Sequence, residues 1–291
     1  MNKINADCIK KSESLSLPND NTAKVSYYTN SVARLIDGCG KTIKQNALTK
    51  PSILCRNNFE LLAKSDDVVH SVRANFGNQP KKQLNICFWN AQSLRQKTQL
   101  VKDYRDDHNL DIFLFAETWL NPNDVVDIGE LEREGECQFL HVPRKNRSGG
   151  GVGCLIKSHL KAKKIDNFKC KTFEHMEIEV LSNGQKLSIA IVYRPEPSKK
   201  NKYSMDDFFN EFTKLLAHYH TYTHEVIITG DFNFHMNKQC DSRVKQFNGI
   251  LEMFDLMQHV DAPTHKAGNI LDLVITHKHS KAPNCYVGDM N

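Results

Sequence analysis

Apolar positions along this chain fall into two textures. From Leu84 onward, short continuous apolar runs alternate with stretches in which apolar residues recur every three or four positions. The runs "LNICFW", "DIFLFAE", "GGGVGCLI", "HMEIEVL", "KLSIAIVY", "EVIITGD" and "NILDLVIT" have the length and β-branched content of buried strands. "LRQKTQLVKDYRDDHN" places Leu94, Val101 and Tyr104 on roughly one side of a helix. "MDDFFNEFTKLLAHYHTY" does the same with Phe208, Phe212, Leu215 and Tyr219, and Ser204 with Asp207 predicts its N-terminal cap. "SRVKQFNGILEMFD" predicts a further helix, and Asn183-Gly184 a tight hairpin turn. Strands and helices alternate, but hairpin signals interrupt them. The expected fold class is α/β (α+β), with mixed rather than purely parallel sheets.

Residues 1–82 show no such periodicity. Rich in Asn, Ser and Lys, they read as a basic, largely disordered N-terminal segment with a short helix near "NFELLA", ahead of a domain spanning 83–291. Removing the segment is expected to leave that domain folded. "DGCGKT", Asp37 to Thr42, has the tail of a phosphate-binding loop, but the position that needs glycine is Leu35 and no apolar strand leads in. That reading is rejected.

Composition adds little; the distribution of charge adds more. The net charge of +5 over 291 residues divides into +6 for residues 1–82 and −1 for the rest. Such a tail is ordinarily a solvated arm, and its functional reading is contact with a polyanion. The nine cysteines are widely spaced with no C-x-x-C pair, which points to reduced thiols rather than a disulfide framework or a zinc site. No signal peptide and no run of membrane-spanning length is visible, so the expectation is a soluble, intracellular protein, with the nucleus a compatible compartment.

Candidate chemistry lies where the strands end. Asn90 closes "NICFWN", Glu117 follows "IFLFA", Tyr193 closes "SIAIVY", Asp231 and Asn233 follow "VIITG", and Asp272 sits in the last strand-like run. Strand ends gathered at one rim form a cleft, and the two-residue spacing sends Asp231 and Asn233 to the same face. Glu117 and Asn90 offer hard oxygen ligands suited to magnesium, which takes few protein carboxylates and completes its shell with water and substrate oxygens. Asp231 can orient or deprotonate a water, while Asn233 and Tyr193 can donate to a phosphoryl oxygen. Singly, an Asn or Asp at a strand end is usually a turn residue and Tyr193 a half-buried aromatic. Together, in this order, they make the parts of metal-assisted phosphoester hydrolysis by water.

In sequence, "FWNAQSL", "FLFAETWL", "GGGVGCLI", "IVYRP", "ITGDFNFH" and "NILDLVIT" resemble the endonuclease/exonuclease/phosphatase superfamily, the group of DNase I, exonuclease III and the AP endonucleases. "AETWL", "RSGGGVG", "YRP", "GDFNFH" and "LDLVIT" resemble in particular the endonuclease domain of non-LTR (LINE-type) retrotransposons. The resemblance implies a four-layer α/β/β/α sandwich, two mixed sheets flanked by helices. It implies a metal site for Mg2+, with Mn2+ as substitute, at Asn90 and Glu117. Tyr193, Asp231, Asn233 and Asp272 match catalytic positions, Asp272 as the acid that supports an active-site histidine. Arg194, Thr264, Gly149 and Gly150 are implied at the substrate, although the glycines of "SGGG" read equally well as a simple hairpin. The implied substrate is double-stranded DNA, nicked on one strand. The superfamily also hydrolyses phosphoinositides and sphingomyelin; the retrotransposon-type strings favour DNA.

Members of this family carry a Ser-Asp-His motif soon after the "LDLVIT" strand, and here the sequence reads "THKHSKAPNCYVGDMN". The expectation is a domain lacking its last strand, with impaired activity. The alternative is an inactive retrotransposon-derived fragment that binds nucleic acid weakly. An intact element also carries a reverse transcriptase, for which 291 residues leave no room.

Overall fold

The computed structural model describes residues 68–74, 84–132, 135–144, 149–182, 184–196, 201–280 and 284–289. All belong to one unit, 51–291. The helix expected near "NFELLA" and the glycine-lysine decoy lie outside the described residues.

The chain order is β1 (Val68–Ala74), β2 (Leu84–Asn90), α1 (Thr98–Asp107), β3 (Ile112–Ala116), α2 (Val125–Leu131), β4 (Cys137–Val142) and β5 (Val152–Lys157). Next come β6 (Lys161–Ile165), β7 (Glu174–Ser182), β8 (Gln185–Tyr193), α3 (Met205–Tyr219) and β9 (Glu225–Asp231). The remainder is α4 (Ser242–Met253), β10 (Leu256–Gln258), β11 (Asp272–His277) and β12 (Asn284–Asp289). One sheet has the order β12-β1-β2-β3-β5-β4 and the other β10-β11-β9-β8-β7-β6. Both are mixed: β2 pairs parallel with β3 and β8 with β9, while the other pairs are antiparallel.

Alternation along the strands explains the layers. Ile86, Phe88, Ile112 and Leu114 point into a core shared with Ile189, Ile191 and Leu273 of the second sheet. Their neighbours Cys87, Trp89, Phe113 and Phe115 point the other way, onto Val101 of α1 and Leu131 of α2. Strands buried on both faces read as continuous apolar runs, which is why they were legible. The second sheet is covered by α3 and α4, where Phe208, Phe212, Phe232 and Phe247 pack edge to face or stacked. The result is the expected α/β/β/α sandwich.

Local signals hold in most places. The α3 cap is reciprocal: Ser204 Oγ accepts from Asp207 N at 3.1 Å and Ser204 N donates to Asp207 Oδ2 at 2.9 Å. The β7–β8 hairpin closes with Ser182 opposite Gln185, as a two-residue turn requires, although Asn183 itself lies outside the described residues. Helix α1 differs from expectation by starting at Thr98. Leu94 precedes it in a loop where Gln92, Ser93 and Gln96 have φ of 41°, 92° and 61°, backbone that no helix accommodates. The sheet also draws on chain upstream of the expected domain start at residue 83, because β1 pairs antiparallel with both β2 and β12. Strand β12 is thus the last strand described, at the edge of its sheet.

Candidate active site

Sheet register assembles the site. The parallel β8–β9 pair sets Tyr193 opposite Asp231, and the antiparallel β9–β11 pair sets Asp231 opposite Asp272. Three side chains from three strands therefore stand in one row. In the other sheet, Asn90 ends β2 beside Ala116 of β3, and Glu117 follows directly. Asn90 joins the two sheets: its amide Nδ2 donates to Glu117 Oε1 at 3.0 Å and to Asp231 Oδ2 at 2.8 Å.

Asp231 is held from its own loop as well. Asn233 has a left-handed φ of 50°, which turns its backbone N–H onto Asp231 Oδ1 at 2.9 Å and its Nδ2 onto Oδ2 at 3.2 Å. Burial holds the Asp231 carboxyl well above the ordinary carboxylate range, and the charge of Asp272, with a smaller push from Glu117, acts the same way. Tyr193 is 6% exposed. Burial, then the charges of Glu117 and Asp231, push its phenol upward, so it remains a hydrogen-bond donor at any ordinary pH. The Arg144 guanidinium lies 5.4 Å above the Tyr193 ring and is paired with Glu174, which also accepts from Gly151 N.

Asn90, Glu117, Asp231, Asn233, Thr264 and Asp272 line one cleft of about 220 Å³. A larger cavity of about 740 Å³ lies at the opposite ends of β8, β9 and β11 and contains none of them.

Residues 87–288 match the endonuclease/exonuclease/phosphatase family. The chain belongs to that family. Its members are metal-dependent phosphodiesterases. Comparison with curated proteins gives no match. Among solved structures, the fold is similar to the AP endonuclease LMAP from Leishmania major, at 12% identity and a TM-score of 0.53, covering 69% of this chain and 80% of that one. It is similar to the endonuclease domain of TRAS1, a telomere-specific non-LTR retrotransposon, at 13% identity and 0.50, covering 65% and 82%. A 3'-5' exonuclease, NExo, from Neisseria meningitidis gives 17% identity and 0.50, covering 66% and 86%.

Within this family fold, several expected substrate residues have other partners. Arg194 is buried, its Nε donating to Phe232 O at 2.6 Å and Nη2 to Asn233 O at 2.7 Å, with the guanidinium 5.4 Å from the Phe208 ring. It clamps the loop that carries Asn233 rather than facing the cleft. Thr264 lines the cleft, but its Oγ1 accepts from Leu271 N at 2.9 Å and Asp272 N at 3.1 Å, fixing the start of β11. Gly149 and Gly150 have φ of 78° and 68°, and Gly150 O accepts from Trp119 N at 2.8 Å. The glycine run thus buttresses the Glu117 turn; Ser148 lies outside the described residues. Sequence reading missed Trp119, whose indole Nε1 donates to Glu117 Oε2 at 3.0 Å, and Gln92, Glu196 and His265, which also line the cleft. Only the position of Trp119, two residues after Glu117, gave any hint.

Among the described residues, no cluster of three or more His, Cys, Asp or Glu has ligand geometry. The donor set nevertheless fits a magnesium-type cation, which needs one or two protein carboxylates. Glu117, Asp231 and Asp272 crowd one cleft, where burial first and the neighbouring carboxylates second disfavour the charged form of Asp231, and a cation would offset both. Asn90 Oδ1 already accepts from Gln92 N at 3.2 Å, so it would offer its second lone pair.

Proposed function

We propose that this domain hydrolyses phosphodiester bonds of DNA, nicking one strand of a duplex in the manner of the non-LTR retrotransposon endonucleases, with Mg2+ (or Mn2+) as cofactor. The single observation that carries the reading is the Tyr193–Asp231–Asp272 row facing Glu117, with the Asn90 amide between them. The AP endonuclease and the TRAS1 endonuclease domain, both similar in fold, support DNA as the substrate class, as does the basic segment 1–82. A reverse transcriptase is the expected partner in an element of that type.

Each side chain has a role that its surroundings permit. Glu117 and Asn90 would hold the cation, which when bound would supply Lewis-acid stabilisation of charge on a phosphoryl oxygen. Asp231 accepts a proton from the attacking water as the water oxygen bonds to phosphorus and the phosphorus bond to the departing sugar oxygen breaks, that oxygen taking up a proton from solvent. Tyr193 donates to the same phosphate as charge builds there. Asn233 holds both Asp231 oxygens, and Asp272 supports the row from β11. His265 brings an imidazole to the cleft: Nδ1 accepts from Ala267 N at 3.2 Å, which leaves the proton on Nε2.

The test is conversion of supercoiled plasmid to relaxed circles by the full chain. We expect nicking that requires Mg2+ or Mn2+, stops with chelator, and falls by roughly 10²-fold or more in Glu117→Gln and in Asp231→Asn. No nicking with either metal, or nicking indifferent to both substitutions, would overturn the assignment.

A further inference from the structure

The chain contains two tryptophans. Trp89 is fully buried in the core, and Trp119 is 40% exposed beside the catalytic cleft. A single exposed aromatic is ordinary on a protein surface. The backbone under Trp119 is not. Glu117 and Trp119 have φ of 51° and 53°, a region that bulky side chains rarely enter and that persists only where the surroundings enforce it. Here they do. Thr118 N donates to Gly151 O at 3.2 Å, Trp119 N to Gly150 O at 2.8 Å, and Ser93 N to Glu117 O at 2.8 Å. The indole N–H is tied to Glu117 Oε2 at 3.0 Å. Gly149, with φ of 78°, lies beside that nitrogen, where an added Cβ would come within 3.5 Å.

The strained turn therefore fixes a flat aromatic surface within one hydrogen bond of the carboxylate expected to hold the metal, yet leaves much of it in water. Every nucleobase has a face that stacks on such a surface, whatever its sequence. We propose that Trp119 is a stacking platform for an unpaired base next to the scissile phosphate. The site then favours nucleic acid with a splayed or single-stranded nucleotide over fully stacked duplex, because a base inside the stack has no face to offer. This inference deepens the phosphodiesterase reading and rests on it.

The experiment compares two single strands of equal length and charge, one of DNA and one a fully abasic deoxyribose-phosphate chain, binding to the full chain in Ca2+. We expect the base-bearing strand to quench tryptophan emission and to bind about ten-fold tighter than the abasic strand. Trp119→Ala should bring the two affinities together while far-UV dichroism and melting stay near wild type. Trp119→Phe keeps an aromatic face but no N–H, so it should keep most of the preference and need more Mg2+ for cleavage. Equal wild-type affinities, or a preference that survives in Trp119→Ala, overturn the platform. Mg2+-dependent cleavage of both strands at equal KM overturns the platform alone. A base preference without any metal-dependent cleavage overturns the hydrolase reading and leaves the platform standing.

Discussion

At His175 the ring Nε2 lies 2.7 Å from the Tyr219 hydroxyl, within hydrogen-bond distance. Burial, reinforced by the neighbouring His218, pulls it from the ordinary 6.5 down to about 4. The unfolded chain binds a proton there below about 6.5 and the folded chain does not, so this contribution to stability is present above 6.5 and is lost as pH falls toward 4. In thermal melts, wild type should exceed His175→Gln at pH 7, and the gap should close by pH 4. A constant gap would show that the imidazole does not titrate as its surroundings require. This group was not legible in advance, since a histidine in a strand looks the same exposed or buried. Asp231, Glu117 and Asn90 stood out only as a set, because singly an acid or amide at the end of an apolar run reads as a turn residue. Arg194 reads differently in sequence and structure: one charge beside a tyrosine at a strand end looks like a substrate contact, and only its carbonyl partners reveal a clamp.

Among the elements, β9 decides whether the site exists. Gly230 has φ of 150°, and a Cβ there would lie 1.8 Å from Val192 O on β8. The glycine lets two backbones approach closely, one residue before Asp231 and opposite the strand that ends in Tyr193. Gly230→Ala should force β8 and β9 apart, costing about 3 kcal/mol in denaturant titration and slowing nicking at least about ten-fold through misplacement of the row. Wild-type stability in that variant would contradict the close approach. The strands that sequence reading passed over include β4, β6, β10 and β12, which are the four sheet edges. An edge strand is half in water, as the largely exposed β6 "KAKKI" is, so it lacks the continuous apolar run that marks a central strand.

For the molecule as a whole, β1 changes where the folded unit begins. It lies between β2 and β12 and bonds to both, from within a segment that looked dispensable. A chain starting at residue 68 should melt like the full protein, whereas one starting at residue 83 should lose roughly 10 °C or its cooperativity. Equal melting of the two chains would remove β1 from the fold. Mixed α/β sheets were legible from alternation and hairpin signals, and the layered sandwich from the family resemblance; β1 was not, because "VVHSVRA" sits within a polar, basic stretch of sequence. Its position also sets a kinetic problem. Val68 pairs with Asp289 and Arg73 with Asn284, so the two strands must find each other across nearly the whole intervening chain. Such distant pairing closes late. During synthesis β1 waits with one side unbonded, and a neighbouring nascent copy that supplies its own residues 284–289 first would leave the two chains exchanged.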